Sequence, residues 1–312
     1  MDGTATALLT SCPAKRELHV WDPLSGLVLR TYKDCAAPPR GLAVVDAGHF
    51  VAAQVGRPQL HIYSWAREQP TFRCQTPEEL RALVCTSDGT YCIGAGCSGR
   101  LYLWAIRSGS LLLAWDAHFK SSTALALTAD DSVLISGGAD ALVTVWSLAD
   151  ALACADPSSA RGASPTPLWT WSSHALAVTD VAVGRTCPGS LALSASLDGT
   201  VHVRELARGE LLHVLRAPAP VHSVCLSPCE HSVFAGTAAG LVHEATLHGA
   251  AGVDLGRAGG RAGAPFASHA AVVHGVRAVG AGGTLVTCGA DGTVRSWDVR
   301  SRQQLSVLSS PQ

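Results

Sequence analysis

The sequence predicts an all-β fold arranged as a seven-bladed propeller, on three observations. A short alternating strand ending in an aromatic residue or its substitute recurs seven times, the recurrences lie roughly forty residues apart, and tight-turn residues punctuate β-rich runs throughout. The seven segments are LHVW ending at Trp21, LHIY at Tyr63, LYLW at Trp104, VTVW at Trp146, VHVR at Arg204, LVHE at Glu244 and VRSW at Trp297. Their spacings are 42, 41, 42, 58, 40 and 53 residues, against about 40–45 for a repeat that makes one four-stranded blade. The two long spacings contain ADPSSARGASPTP, from Ala155 to Pro167, and GAAGVDLGRAGGRAGAP, from Gly249 to Pro265. Proline, glycine and serine interrupt strand ladders and favour loops, so both read as insertions, and removing them restores the period. Residues 1–312 are therefore expected to form a single propeller domain with insertions at about 150–167 and 249–265.

Within a repeat the elements follow from pattern and punctuation. SVLISGG, then ADA, then LVTVWSL is a strand, a turn and a strand, with every second side chain on one face. Asp198-Gly199 and Asp291-Gly292 supply the positive φ that tight β-turns need. Helical periodicity is scarce, and Trp146 to Ala155 reads as a strand end running into a loop. In blade one, Ala7–Ser11, Leu18–Trp21 and Leu27–Tyr32 supply the second, third and outermost strands, leaving the innermost without an N-terminal source. A lone blade exposes both faces of its small sheet, so blades are stable only when stacked around a ring.

Composition sets the outer bounds. With 47% hydrophobic and 15% charged residues there is material for a large core and none of the signature of disorder. Net charge is −1 and the lysines are Lys15, Lys33 and Lys120, so direct nucleic-acid binding is not expected. No apolar run approaches the ~18 residues of a membrane span, and Met1 to Thr10 lacks the pattern of a signal peptide. The chain therefore reads as soluble and intracellular. Its eleven cysteines are odd in number and mostly sit in apolar runs, as Cys85, Cys92, Cys225 and Cys288 do; free thiols are expected.

Three repeats carry a histidine, a hydroxyl and an aspartate: His118, Ser136 and Asp140; His174, Ser194 and Asp198; His269, Thr287 and Asp291. These are the side chains of a catalytic triad, in which a carboxylate orients an imidazole that activates a hydroxyl. Repetition argues for a structural role instead. The hydroxyl precedes the aspartate by four residues each time, and Trp146 and Trp297 follow their aspartates by six. The arrangement resembles the buried tetrad of WD repeats, in which Asp orients His, His meets Ser/Thr, and the hydroxyl meets the indole N–H. Such a network satisfies polar groups that are costly to bury alone. The fifth repeat has Arg204 in the tryptophan place, and blades two and six lack the set.

Other motifs weigh less. Gly94-Ala-Gly96-Cys-Ser-Gly99 has the letters of a dinucleotide fingerprint, but a strand follows it where that motif needs a helix. GRAGGRAG lacks the Lys-Ser/Thr ending of a phosphate loop. His222, Cys225, Cys229 and His231 have zinc-preferring side chains, but strand alternation points His222 and Cys225 to opposite faces. No catalytic residue, cofactor or metal site is expected, and the chain reads as a non-enzymatic WD40 scaffold. Alternatives are a propeller that reads a modified peptide at its channel, for which 5% aromatic residues offer little, or a ubiquitin-ligase substrate adaptor.

Several segments resemble one family in particular. They are Pro39-Arg-Gly-Leu-Ala with Ala52-Ala53-Gln54, ISGGADALVTVWSL with Ala155-Asp156-Pro157, WSSHALAVTD from Trp171 to Asp180, SLDGTVHVRELARGELL from Ser196 to Leu212, and GADGTVRSWDVRSRQQL from Gly289 to Leu305. In order and spacing they are similar to the WD repeat-containing protein 18 family, with the His174-Ala-Leu block and Thr179-Asp180 the most family-specific. The resemblance implies a scaffold subunit of a nuclear Rix-type complex, with PELP-like and TEX-like partners. It would work with the pre-ribosomal large subunit and the midasin ATPase, in large-subunit maturation and processing of the internal transcribed spacer of pre-rRNA. Residence in the nucleolus and nucleoplasm, with a cytoplasmic pool, is implied in the same way. Family members continue beyond the last repeat, so the strand that closes blade one is expected beyond Gln312, leaving that blade incomplete.

Overall fold

The computed structural model describes residues 7–13, 15–22, 25–156, 164–185, 190–247, 253–255, 265–280 and 283–309. Seven sheets follow one another along the chain, each built on an antiparallel meander of consecutive strands. Blade one comprises β1 (Leu8–Cys12), β2 (Glu17–Trp21) and β3 (Val28–Lys33); blade two, β4 (Leu42–Val44), β5 (His49–Ala53), β6 (Gln59–Ser64) and β7 (Phe72–Gln75). Blade three holds β8 (Leu80–Cys85), β9 (Tyr91–Gly96), β10 (Arg100–Ala105) and β11 (Ser110–Asp116). In blade four, β12 (Ser122–Leu127), β13 (Val133–Gly138) and β14 (Val143–Ser147) lead into α1 (Leu148–Ala155) before β15 (Pro167–Trp171). Blade five contains β16 (Val178–Val183), β17 (Leu191–Ser196), β18 (Thr200–Glu205) and β19 (Leu211–Arg216). Blade six begins with β20 (Val221–Leu226), β21 (Ser232–Thr237) and β22 (Leu241–Thr246). After β22 the chain sends β23 (Val253–Asp254) to pair in parallel with β19, and β24 (Phe266–Ala267) returns to complete blade six. Blade seven is β25 (Val273–Val279), β26 (Thr284–Gly289), β27 (Thr293–Asp298) and β28 (Gln304–Ser309).

The ring is held by its seams. A sheet clamped between two neighbours buries both faces, so its central strands become continuous apolar runs. In β10, Leu101, Tyr102, Leu103 and Trp104 are all buried. Seven apolar clusters lie at seven seams. Leu18, Val20 and Tyr32 of blade one meet Phe50, Ala52 and Tyr63 of blade two, with Phe50 stacked on Tyr63 at 5.0 Å between ring centroids. At the other side Trp21 packs on Val286, Val294 and Leu308 of blade seven, so side-chain packing closes the circle. Among the described residues, blade one has three strands and β1 has no strand on its inner edge.

Two readings need correction. Trp146 to Ala155 is not a strand running into a loop, because Leu148–Ala155 is helical. The Ser147 side chain caps the first turn by accepting the Asp150 N–H at 3.2 Å. Leu148, Ala151, Leu152 and Ala155 form an i, i+3, i+4, i+7 stripe that packs onto the cluster holding Trp115 and Trp146. Eight residues are too few for a helix to persist alone, so that contact decides the conformation. The blade-six anchor also shifts by one residue. Val233 pairs with Ala245 as Leu134 pairs with Trp146, which puts Ala245 in the tryptophan place. Glu244 instead takes the Arg302 guanidinium at 2.7 Å.

The insertions fall partly outside the described residues, at 157–163, 248–252 and 256–264. In the second, β23 caps the outer edge of blade five and Leu255 is buried against that blade, which covers part of an edge that could otherwise pair with another chain. The ten cysteines among the described residues are free thiols.

Candidate functional site

The tetrad residues sit where neighbouring strands of a blade meet the loop entering it. In blade four, His118 Nδ1 lies 3.1 Å from Asp140 Oδ1 and Nε2 lies 2.9 Å from Ser136 Oγ, while the Trp146 indole donates to Ser136 Oγ at 3.1 Å. Blade seven repeats this geometry: His269 Nδ1 to Asp291 at 3.0 Å, Nε2 to Thr287 Oγ1 at 2.9 Å, and Trp297 Nε1 donating to Thr287 Oγ1 at 3.2 Å. In blade five, His174 meets Asp198 at 3.3 Å and Ser194 at 2.8 Å. Arg204 turns away from Ser194, donating to Gly209 O and Ser173 Oγ with its guanidinium 4.9 Å above the Trp171 ring. The aspartates also accept the N–H of the residue after each histidine, Phe119, Ala175 and Ala270, so each carboxylate fastens a loop to its blade.

Close packing accompanies the histidine. A Cβ on Gly138 would lie 2.4 Å from His118 Nδ1, and one on Gly289 would lie 2.5 Å from the His269 ring, so in blades four and seven the glycine two residues before the aspartate makes room for the imidazole, whereas blade five has Ser196 there. Burial pushes the pKa values of His118, His174 and His269 below the usual histidine range. The rings are therefore neutral near pH 7, with Nδ1–H donating to the aspartate and Nε2 accepting from the hydroxyl. That is the proton order of a hydrolytic triad, but Ser136 and Thr287 are 0% exposed and the indole occupies the face a substrate would need.

Sequence reasoning missed related contacts. Trp21 donates to Thr10 Oγ1 at 2.8 Å, so blade one keeps the hydroxyl–indole half of the network. In blade three, Glu78 accepts from Tyr102 OH at 2.8 Å and Ser98 N at 2.7 Å. The Thr10-to-Trp21 separation, one residue longer than Ser136-to-Trp146, was the available signal for the first. The dinucleotide-like glycines lie on β9 and in its turn to β10, with Gly99 at φ +98°. His222 and Cys225 lie on β20, Cys225 Sγ accepts the Ala278 N–H, and Cys229 Sγ lies 3.3 Å from Ser227 Oγ on an exposed turn. Among the described residues no group of three or more metal-ligating side chains converges.

The axis carries a contact that no local pattern announces. Each of five inner strands has a one-residue bulge, at Arg81, Thr123, Thr179, His222 and His274. The next residue is Ala82, Ala124, Ser223 or Gly275 in four of them, but Asp180 in blade five. Its carboxylate is buried, accepting Val181 N at 3.0 Å and Val224 N of blade six at 2.9 Å. Arg40, ahead of β4 in blade two, reaches it from across the ring, with Nε donating to Asp180 Oδ1 at 2.7 Å and Nη2 to His222 O at 2.6 Å. The Arg40 backbone meanwhile bridges to Ala82 and accepts Leu83 N, so one residue ties blades two, three, five and six together. Thr123 Oγ1 donates to Val178 O at 2.6 Å and Thr179 Oγ1 to Val221 O at 2.8 Å, joining adjacent inner strands.

Seven meandering sheets, seam clusters and Ser/Thr–His–Asp–Trp networks define a WD-repeat propeller, and the WD domain, G-beta repeat family matches residues 109–147, 165–204 and 264–298. The chain is 34% identical over 303 residues to WD repeat-containing protein 18 of Bos taurus, covering 93% of this chain and 66% of the relative. It is 31% identical over 310 residues to the protein of that name from Mus musculus, covering 98% and 69%. Pre-rRNA-processing protein IPI3 of Mycosarcoma maydis matches at 37% over 185 residues, 57% of this chain and 32% of that protein. The chain belongs to the WD repeat-containing protein 18 family and spans 66% of the length of the bovine and human relatives.

Proposed function

We propose that the chain is a non-enzymatic scaffold in maturation of the large ribosomal subunit and processing of the internal transcribed spacer of pre-rRNA. In this reading it belongs to a nuclear Rix-type complex, with PELP-like and TEX-like subunits as direct partners and the pre-ribosomal large subunit and midasin ATPase as wider associates. The observation that carries it is kinship with proteins named for pre-rRNA processing, among them the IPI3 of Yarrowia lipolytica, 29% identical over 83% of this chain. The geometry supports a scaffold. The three hydroxyl–histidine–aspartate sets serve as fold residues, their hydroxyls shut inside blades, and the axial Arg40–Asp180 bridge occupies the channel that a peptide reader would use. For partners the outermost strands expose Leu29, Phe72, Leu305 and Val307, and the loop entering blade four exposes Phe119.

Affinity purification of the tagged chain from nuclei tests the reading. Co-recovery of PELP-like and TEX-like proteins with precursor large subunits supports it. Recovery of ubiquitin-ligase core subunits in their place, or of no ribosome-assembly factor, overturns it.

A further inference from the structure

Cys85 ends β8 and Cys92 lies near the start of β9, and the two are direct partners across the antiparallel ladder. The next pair outward, Thr86 and Tyr91, is joined by a Thr86 N–H to Tyr91 O hydrogen bond of 3.0 Å. Hydrogen-bonded and non-hydrogen-bonded pairs alternate along such a ladder, so Cys85 and Cys92 occupy a non-hydrogen-bonded pair. There the Cα atoms approach to about 4.5 Å with side chains on the same face, inside the roughly 4.4–6.8 Å that a disulfide spans. Cys92 is buried and Cys85 is partly buried, packed against the same seam cluster. Both belong to the seam between blades two and three, where Cys92 and Cys74 of β7 line a small apolar cavity of about 30 Å³ with Val51, Ile62 and Trp104.

We propose that Cys85 and Cys92 form an oxidisable dithiol, a modification site that closes to a cross-strand disulfide under peroxide and reopens under reductant. The Cys85 thiol attacks one peroxide oxygen, the O–O bond breaks, and a sulfenic acid and one water result. The Cys92 thiol then displaces hydroxide from that sulfur, forming the S–S bond and a second water. Two thiols lose two electrons and two protons, and hydrogen peroxide takes both. Cys74, on the neighbouring blade, lies outside the ladder pair and is not consumed. The bond would staple the base of the turn from Thr86 to Tyr91, whose Ser87 N–H donates to Asp131 of blade four at 2.8 Å.

The test treats the full chain with hydrogen peroxide, blocks remaining thiols with an alkylating agent, and maps peptides by mass spectrometry without and then with reductant. The expected result is a reductant-sensitive Cys85–Cys92 link, about 2 Da lighter than the paired thiols, abolished in Cys85→Ser and retained in Cys74→Ser. Cys92→Ala, checked for folding by circular dichroism, should leave Cys85 as a trappable sulfenic acid. A link through Cys74 that survives Cys85→Ser overturns the proposal. So does oxidation confined to the exposed Cys229 while Cys85 and Cys92 remain alkylatable after unfolding.

Discussion

Replacing Asp180 probes a contact that spans the ring. In Asp180→Ala the Arg40 guanidinium keeps only His222 O, and the Val224 N–H loses its acceptor. Removing one partner of a buried ion pair costs about 3–5 kcal/mol, since an uncompensated charge stays behind. The Arg40 side chain is 19% exposed, so water relieves part of that charge and the lower end, ~3 kcal/mol, applies. Unfolding entropy scales with length at ~2.1 cal/mol/K per residue, or roughly 0.65 kcal/mol/K for this chain, so the melting point should fall by about 4–5 °C. A double-mutant cycle with Asp180→Asn and Arg40→Met isolates the pair, because asparagine can still accept from Val224. Urea unfolding followed by tryptophan fluorescence should give a coupling energy above ~1 kcal/mol. If the two changes add within ~0.3–0.5 kcal/mol, the bridge does not hold the ring and the reasoning fails.

Further outcomes follow from the networks. His118→Ala should cost ~1–3 kcal/mol by stranding Ser136 and Asp140, read as a lowered urea midpoint with an unchanged slope. Trp21→Phe removes the donor to Thr10 and should destabilise by about 1 kcal/mol, whereas the already unpaired Trp171 indole predicts a smaller hydrogen-bonding loss for Trp171→Phe in the same assay. Acid should weaken the fold through its buried histidines. Burial, with help from the nearby His174 and Arg204, holds His202 down to about 4 from an ordinary 6.5. Between those values the unfolded chain takes up a proton the folded chain refuses, so stability falls as pH drops from 6.5 toward 4, by up to ~1.4 kcal/mol per pH unit from this group. His118, His174 and His269 act in the same direction. Urea midpoints at pH 7.5, 6 and 5 would check this, and a flat profile would contradict it. Ser147→Ala should loosen α1 by ~1 kcal/mol, visible as faster amide exchange confined to residues 148–155.

Local patterning determined a good deal of this molecule. Strand alternation and turn residues are near-neighbour properties, so the blade count and most anchor strands follow from the order of residues alone. The fixed offsets of Ser136, Asp140 and Trp146, and of Thr287, Asp291 and Trp297, lie within one hairpin, which is why three members of each network are legible in sequence. Where the pattern thinned, the reading slipped: with no Phe, Tyr or Trp on β22, only the ladder register chose Ala245 over Glu244. The α1 stripe was present in the letters, but eight residues become a helix only because Trp115 and Trp146 receive them.

Tertiary structure alone decided what happens between blades. Arg40 and Asp180 are 140 residues apart, and no local rule sets an arginine of one blade against an aspartate three blades away. Closing the ring brings them together, and burial then turns two ordinary charged residues into a cross-axis tie. The same closure places Trp21 against blade seven and lays β23 along blade five. Sequence wrote the blades because each is built from neighbours in the chain; the circle wrote the seams and the axis, because those contacts exist only once every blade is in place.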